Sequence, residues 1–180
     1  MSIKLCVPIL GSLSLDTDIL WLRNPFLKLG FTGDVDFHIS TDSFNGKEWS
    51  QKNHINTGFY MVKSNNKTIA IFDEWYARKN NSQGLKEQDV LENMKKEGMF
   101  KKFGLSVKFL NTVDFSGFCQ DSTDVQRVTT VHANCCRTVR AKLLDLTTVL
   151  HDWKKFNKNP LSNESFVWSK HIACGNSWNS

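Results

Sequence analysis

Short apolar segments alternate with amphipathic helical segments along most of this chain. Apolar runs with the length of a strand occupy residues 5–15, 36–40, 56–62, 105–110 and 128–131. Helical spacing of apolar residues occurs between them, at residues 68–78, 86–103 and 139–153. Because a helix must bury its apolar stripe on a neighbouring element, such alternation is typical of layered α/β folds. The sequence therefore predicts an α/β sandwich built on a parallel or mixed sheet.

Three local patterns refine this prediction. Residues 19–22 are expected to form a short helical turn that Asn24 and Pro25 end. The Asn- and Ser-rich residues 157–180 are expected to form a loose tail. The helix over residues 139–153 is expected to bury one apolar face. That face consists of Val139, Leu143, Leu146, Leu150 and Trp153.

The composition of the 180-residue chain is that of an ordinary globular protein, with 40% hydrophobic and 23% charged residues. Its net charge of +5 permits an anionic partner such as a nucleotide. The basic residues are scattered and accompany no nucleic-acid-binding motif, so no nucleic-acid partner is expected. No apolar stretch reaches the roughly 20 residues that cross a bilayer, so no membrane span or anchor is expected in the chain.

Five cysteines are present, and none of them is spaced as a CxxC pair. This pattern argues against a structural zinc site and allows one or two disulfides if the chain is lumenal. An odd count leaves at least one thiol unpaired or intermolecular. The adjacent Cys135 and Cys136 are expected to serve in packing or in disulfides. Glycosylation triplets at Asn66, Asn80 and Asn163 favour a secretory location.

Asp16 and Asp18 form the first candidate site. Two carboxylates one residue apart, just after a buried apolar strand, can hold a hard divalent cation through their oxygens. Such a cation would neutralise charge on a departing diphosphate. The alternative is a turn with solvated acidic side chains. The apolar residues on both sides favour metal binding.

His132 forms the second candidate, at the end of the strand predicted over residues 128–131. A histidine at a strand end can offer a neutral imidazole to a metal. The alternative is a structural histidine. Ligands of α/β sheets bind at the carboxyl ends of strands, and Asp16, Asp18, Asn56 and His132 all lie at or near predicted strand ends.

Two further segments carry candidate sugar-binding side chains. Gln88 and Asp89 begin the second predicted helix, where they either contact sugar hydroxyls or favour the helix dipole. Asn56 and Thr57 offer amide and hydroxyl groups to a carbohydrate, and Gly58 within a strand is typical of a close ligand approach. The alternative for this second segment is an ordinary strand start. None of these groups is decisive alone.

The order of these segments along the chain carries a family resemblance. They are residues 16–26 (DTDILWLRNPF), 39–42 (ISTD), 56–62 (NTGFYMV), 87–91 (EQDVL), 117–119 (GFC) and 132–137 (HANCCR). In this order the chain resembles the plant nucleotide-diphospho-sugar transferases, which are grouped with glycosyltransferase family 77. The resemblance covers roughly residues 13–155.

The resemblance implies a GT-A fold, a nucleotide-binding mixed-sheet α/β sandwich. It implies that Asp16 and Asp18 bind Mn²⁺ or Mg²⁺ together with the donor diphosphate, and that His132 completes the metal site. Gln88 and Asp89 would lie near the donor sugar and the reacting carbon.

The resemblance also implies a substrate subsite and a reaction. Asn56, Thr57 and Gly58 would line the sugar subsite. The expected reaction is metal-dependent transfer of a sugar, with retained anomeric configuration, from a UDP-sugar to a polysaccharide or glycoprotein. Related proteins act in the Golgi lumen on plant cell-wall polymers or glycoproteins.

The start of the chain departs from the family pattern, because fifteen residues precede Asp16 where the family has a longer nucleotide-binding segment. This predicts a divergent segment at 1–12, a partial transferase domain at 13–156 that lacks the first strands, and a tail at 157–180. Low or absent activity is expected for such a chain. The alternative function is an impaired remnant that binds a glycan or a partner. A metal-dependent hydrolase is a third interpretation, but the chain lacks the further carboxylates of two-metal sites.

Overall fold

A computed structural model gives the fold and describes residues 3–7, 11–30, 33–158 and 166–179. The chain divides into two compact units. The first consists of Met1–Thr17 and Leu29–Asn111, and the second of Asp18–Lys28 and Thr112–Ser180. Each unit has its own sheet and its own apolar core.

Groups of strands alternate with groups of helices along the described residues, which confirms the predicted α/β class. The strands are β1 (Ile3–Val7), β2 (Gly11–Leu15), β3 (Ile19–Trp21), β4 (Phe37–Ser43), β5 (His54–Lys63), β6 (Val107–Phe109), β7 (Phe115–Gly117) and β8 (Thr130–His132). The helices are α1 (Phe26–Leu29), α2 (Asn66–Ala77), α3 (Glu87–Lys96), α4 (Met99–Lys102), α5 (Val139–Lys158) and α6 (Ile172–Asn176), with a 3-10 helix at Arg78–Asn81.

The first unit contains a five-stranded mixed sheet in the order β1-β2-β5-β4-β6. The β4–β6 pair is parallel and the other pairs are antiparallel, which confirms the predicted mixed sheet. The single strand predicted over residues 5–15 is wrong, because β1 and β2 are separate strands that pair with each other. Residues 8–10 of that prediction lie outside the described residues. An apolar run does not show whether it pairs with itself, and only the register decides this.

The helices of the first unit begin and end at identifiable local signals. Asn65 caps α2, because its side chain accepts hydrogen bonds from the backbone of Lys67 and Thr68. The single helix predicted over residues 86–103 is wrong. It is divided into α3 and α4 at Gly98, whose φ of 77° lies in the left-handed region. Glycine adopts this conformation without a steric cost and ends helices there.

The core of the first unit lies between its sheet and its helices. Buried side chains from β4, β5 and β6 pack against apolar residues of α2, α3 and α4. Phe37 is fully buried at the centre and contacts the rings of Tyr60, Phe72 and Phe100 edge-on, at centroid distances of 5.5, 5.9 and 6.3 Å. Such aromatic contacts add to the stabilisation from buried area. The core therefore fixes β5, which carries Asn56 and Thr57.

His38 makes the stability of the first unit depend on pH. Burial, with a smaller contribution from Lys108, lowers the pKa of this imidazole from 6.5 to about 4 against the opposing charge of Glu48. Between pH 6.5 and 4 the unfolded chain therefore binds a proton that the folded chain does not. We expect acidification from pH 7 to 4 to remove about 3 kcal/mol of stability through this group.

Urea unfolding at several pH values measures this effect. His38→Gln should lose less stability on acidification than the wild type. His151→Gln, which changes an exposed histidine of α5, is the control and should follow the wild type. Equal acid sensitivity in His38→Gln and the wild type would contradict the assignment.

The second unit contains a three-stranded sheet in the order β3-β8-β7. The helical turn predicted at residues 19–22 is wrong, because Ile19–Trp21 forms β3 and pairs antiparallel with β8. Ile, Leu and Trp suit a strand as well as a short helix, and the pairing with β8 decides between them. The strand β7, which was not predicted, pairs in parallel with β8.

Two disulfides join segments of the second unit and confirm the prediction of one or two disulfides. They link Cys119 to Cys135 and Cys136 to Cys174. The adjacent Cys135 and Cys136 thus serve in two different disulfides, as expected for vicinal cysteines that do not share a metal. Cross-links of this kind stabilise mainly by restricting the unfolded chain.

The expected apolar face of α5 is only partly correct. Leu150 and Trp153 pack against the core of the second unit, but Val139 and Leu143 are exposed. The buried side of the helix includes Asp145, whose carboxylate accepts the backbone N–H groups of Ala173 and Cys174. A polar residue therefore occupies the buried face, which hydrophobic periodicity cannot indicate.

The expectation of a loose tail is wrong for residues 166–179. The indole of Trp168 donates to the carbonyl oxygen of Ser122 at 3.0 Å, and Cys174 is held by its disulfide. Phe166 packs against Phe156 of α5 with a centroid distance of 5.5 Å. Residues 159–165 and 180 lie outside the described residues.

Candidate active site

The pairing of β3 with β8 brings Asp18 close to His132. Ile19 stands opposite His132 in the antiparallel register, and Ala133 N–H donates to Asp18 O at 3.1 Å. The side chains approach within 3.5 Å, measured from His132 Nε2 to Asp18 Oδ1. Asp18 and His132 are 114 residues apart in the sequence. Their side chains nevertheless lie close together inside one unit, as expected for this imidazole and an acidic side chain.

His132 is fixed by the segments on both sides of it. Gly117 stands opposite His132 in the parallel β7–β8 pair, and Phe118 N–H donates to His132 O at 3.0 Å. The Cys119–Cys135 disulfide closes the same region. A Cβ at Gly117 would lie 2.5 Å from Asn134 Oδ1, so a larger residue here would displace the Asn134 side chain, which accepts the backbone N–H of Cys119. The resemblance segments 117–119 and 132–137 thus together position the imidazole.

Asp18 carries its negative charge in a partly buried place. Its side chain is 18% exposed, and Lys142 Nζ lies 2.6 Å from its Oδ2 atom. Burial alone would raise the pKa of Asp18, but the hydrogen bonds from His132 and Lys142 outweigh burial and lower the pKa well below its usual range. Asp18 is therefore an ionised carboxylate at neutral pH, as metal binding requires.

Asp16 belongs to the first unit and directly follows β2. Its backbone N–H donates to Gly58 O at 2.7 Å, which attaches it to β5. Two peptide units limit the separation of the Asp16 and Asp18 Cα atoms to about 7 Å. Asp18 and His132, both in the second unit, offer a carboxylate and an imidazole to a metal. The role of Asp16 as a third ligand stays a prediction. Carboxylate oxygens suit Mg²⁺ and Mn²⁺ and an imidazole suits transition metals, so the donor set fits a divalent cation.

The ammonium group of Lys142 contacts Asp18 and would compete with a metal ion for this carboxylate. Lys142→Met should strengthen Mn²⁺ binding about tenfold, because the incoming ion would no longer displace an ammonium group from the carboxylate. Titration calorimetry measures this change. Lys154→Met, which alters an exposed lysine of the same helix, should leave the affinity unchanged. Weaker binding in Lys142→Met would show that the lysine supports the site.

A hydrogen-bond network in the first unit connects three of the predicted sugar-binding residues. Gln88 Oε1 accepts the backbone N–H of Thr57 at 3.1 Å, and Gln88 Nε2 donates to Asp42 Oδ2 at 2.8 Å. Asn56 Nδ2 donates to the other oxygen of Asp42, also at 2.8 Å. Asp42 thus orients both amide side chains. Gly58 N–H donates to Asn56 Oδ1 at 2.9 Å, so the glycine belongs to the same segment.

The structure separates the predicted pair Gln88 and Asp89. Asp89 is exposed, and its Oδ2 atom accepts the backbone N–H of Lys86 at 2.9 Å at the start of α3. Adjacent residues of a helix do not share a face, so Gln88 enters the network while Asp89 does not. This position of Asp89 agrees with the helix-start alternative considered for the segment, and its role at the donor sugar stays a prediction.

Sequence reasoning did not select Asp42 or Lys142 as site residues. Asp42 lies in the resemblance segment 39–42, and its position just inside the end of β4 was a signal that could have identified it. Lys142 belongs to no such segment. Its contact with Asp18 spans 124 residues and appears only in the folded chain.

No helix within the described ranges combines the length and the apolar character that crossing a bilayer requires.

The helices and the mixed parallel and antiparallel strands are those expected of a nucleotide-sugar transferase fold. The family model for nucleotide-diphospho-sugar transferases matches residues 11–146. The chain belongs to this family, and its mixed α/β architecture is consistent with it.

Two relatives come from Arabidopsis thaliana. The chain is 50% identical over 165 residues to "Uncharacterized protein At1g28695", which covers 91% of this chain and 47% of the relative. It is 35% identical over 156 residues to "Uncharacterized protein At4g15970", which covers 86% of this chain and 42% of the relative. The chain thus spans about half the length of the curated relatives that it matches.

Proposed function

We propose that the chain contributes to metal-dependent transfer of a sugar from a nucleotide diphosphate to a glycan or glycoprotein, with retention of anomeric configuration. The single observation that carries this proposal is the approach of His132 to an ionised Asp18 in a chain of the transferase family. A turn of solvated acidic residues, the alternative for Asp16 and Asp18, would not require an imidazole beside a partly buried carboxylate.

The chain's own residues would perform three tasks. Asp16, Asp18 and His132 would hold Mn²⁺ or Mg²⁺, which supplies positive charge opposite the departing diphosphate. Lys142, whose ammonium group lies 2.6 Å from Asp18 Oδ2, would offer a further positive charge to the anionic donor.

The amide network of the first unit would orient the donor sugar. Asn56 and Gln88 are both held by Asp42, and Thr57 is held by Gln88, so their polar groups are pre-oriented for sugar hydroxyls. Asp89 would keep the start of α3, and with it Gln88, in place. Gly58 would secure the connection to Asp16 through its carbonyl oxygen.

Calorimetry of the purified chain with UDP-xylose, UDP-arabinose and UDP-galactose tests the proposal. Binding of one donor should require Mn²⁺ and should disappear in Asp18→Asn. Release of UDP in the presence of an acceptor measures turnover, and the anomeric proton of the product reports retention. Absence of binding for all three donors, with and without Mn²⁺, would contradict the proposal. Glycan binding without donor binding would favour the remnant alternative.

We also propose that the protein works in the Golgi lumen. The two disulfides of the second unit support this location, because disulfides form and persist in oxidising compartments. Fractionation of plant cells, with N-glycan removal as the readout at the triplets of Asn66, Asn80 and Asn163, tests it.

A further inference from the structure

An aromatic cleft in the first unit lies beside the amide network and belongs to neither the network nor the candidate metal site. Its volume is about 370 Å³, which is within the range of small-ligand sites. It is formed where α2 and the following 3-10 helix meet the start of α3 and the strand β5. The lining consists of Tyr60, Phe72, Trp75, Tyr76, Lys79, Ser82, Glu87 and Val90.

We propose that this cleft binds a neutral sugar ring of the acceptor, so this inference rests on the proposed transferase function. Its walls are mainly aromatic, and aromatic faces pack against the C–H faces of sugar rings. Besides the polar groups of its aromatic residues, the lining offers the Ser82 hydroxyl, the Lys79 ammonium and the Glu87 carboxylate, which suit sugar hydroxyl groups. Because the charges of Lys79 and Glu87 cancel, the cleft favours a neutral sugar over an acidic one.

Two aromatic residues of the cleft, Trp75 and Tyr76, are held in fixed orientations. The indole N–H of Trp75 donates to Glu87 O at 3.0 Å. Lys79 Nζ lies 3.8 Å from the centroid of the Tyr76 ring and 2.5 Å from its hydroxyl oxygen. Tyr76 nevertheless remains 68% exposed, so the ring face away from Lys79 can stack on a ligand. A rigid exposed aromatic side chain loses little conformational entropy on binding.

Glu87 connects the cleft to the amide network within the first unit. Glu87 lines the cleft, and its Oε1 atom is 3.4 Å from Thr57 Oγ1. Gln88, the next residue, is part of the amide network. Tyr60, which lines the same cleft as Glu87, belongs to β5, the strand that also carries Thr57. A sugar in the cleft would therefore be close to the groups proposed to orient the donor.

Calorimetry of the full chain with xylopentaose, arabinopentaose and galactopentaose tests the proposal. At least one of these neutral oligosaccharides should bind. Tyr76→Ala should weaken that binding about tenfold, whereas Tyr76→Phe should retain it because the ring remains. The control is Ile69→Ala, which removes an apolar side chain that is 51% exposed on the same helix and does not line the cleft. It should bind like the wild type.

Two results would overturn the proposal. One is the absence of binding for all three oligosaccharides. The other is equal affinity in Tyr76→Ala and Ile69→Ala. Donor binding with Mn²⁺, measured on the same samples, separates this failure from failure of the proposed function. If the donor binds but no oligosaccharide does, the cleft assignment alone is wrong. If the wild type binds no donor but binds an oligosaccharide more tightly than Tyr76→Ala does, the transferase proposal fails, whereas the cleft is still a sugar-binding site.

Discussion

Replacing His132 with alanine should weaken Mn²⁺ binding by more than about 100-fold, because loss of a group that merely supports a metal ligand already costs 10- to 100-fold. Asp18→Asn should have an effect of similar size, since it removes the ionised carboxylate that lies 3.5 Å from the imidazole. Titration calorimetry or the paramagnetic resonance signal of free Mn²⁺ measures both changes.

The control for this experiment is a histidine outside the site. His151→Ala changes an exposed histidine of α5 and should bind Mn²⁺ like the wild type. Circular dichroism of each variant distinguishes loss of a ligand from loss of the fold. A His132→Ala protein that is folded and binds Mn²⁺ with wild-type affinity would remove the imidazole from the proposed site.

Glu92→Ala should destabilise the first unit by about 3–5 kcal/mol, because it leaves a buried ammonium group without its carboxylate partner. Lys95 is 4% exposed, and its Nζ atom lies 2.8 Å from Glu92 Oε2. Its remaining contacts would be the carbonyl oxygen of Asn53 and the ring of Phe109, 5.8 Å away. Neither carries a full negative charge. Urea unfolding monitored by circular dichroism measures the loss.

A surface ion pair at the end of the same helix provides the matched control. Glu97 lies 2.7 Å from Arg78, but its side chain is 50% exposed. Glu97→Ala should therefore cost less than about 1 kcal/mol. If Glu92→Ala costs no more than Glu97→Ala, the buried pair does not stabilise the unit. Lys95→Met combined with Glu92→Gln should restore part of the loss, because no unpaired charge is then buried.

The sequence predicted the individual site residues better than their connections. Asp18 and His132 were both selected, and both lie at strand ends that pairing brings together. Asn56, Thr57 and Gln88 were also selected, but Asp42 was not, although it holds two of them. A residue that orients others through hydrogen bonds has no periodicity or spacing of its own. Such a residue is recognised only from its contacts.

Elements were predicted well where local physics decides them and poorly where pairing decides them. The strand β5 and the helix α2 follow from apolar patterns, and both are present. The turn predicted at Ile19–Trp21 is a strand, because β8 offers it a hydrogen-bonding partner. The residues after 165 looked loose because they are polar, yet Cys174 attaches them to Cys136.

The sequence by itself determined the alternation of strands and helices, the acidic pair after the second strand, and the family, because these depend on residue order. Only the tertiary structure decided that Lys142 lies on Asp18, that Asp145 faces inward, and that aromatic residues of α2 form a cleft beside Glu87. The physical reason is distance along the chain. Contacts between residues far apart in sequence arise when strands pair and helices pack, and no local pattern of side chains specifies which partners will meet.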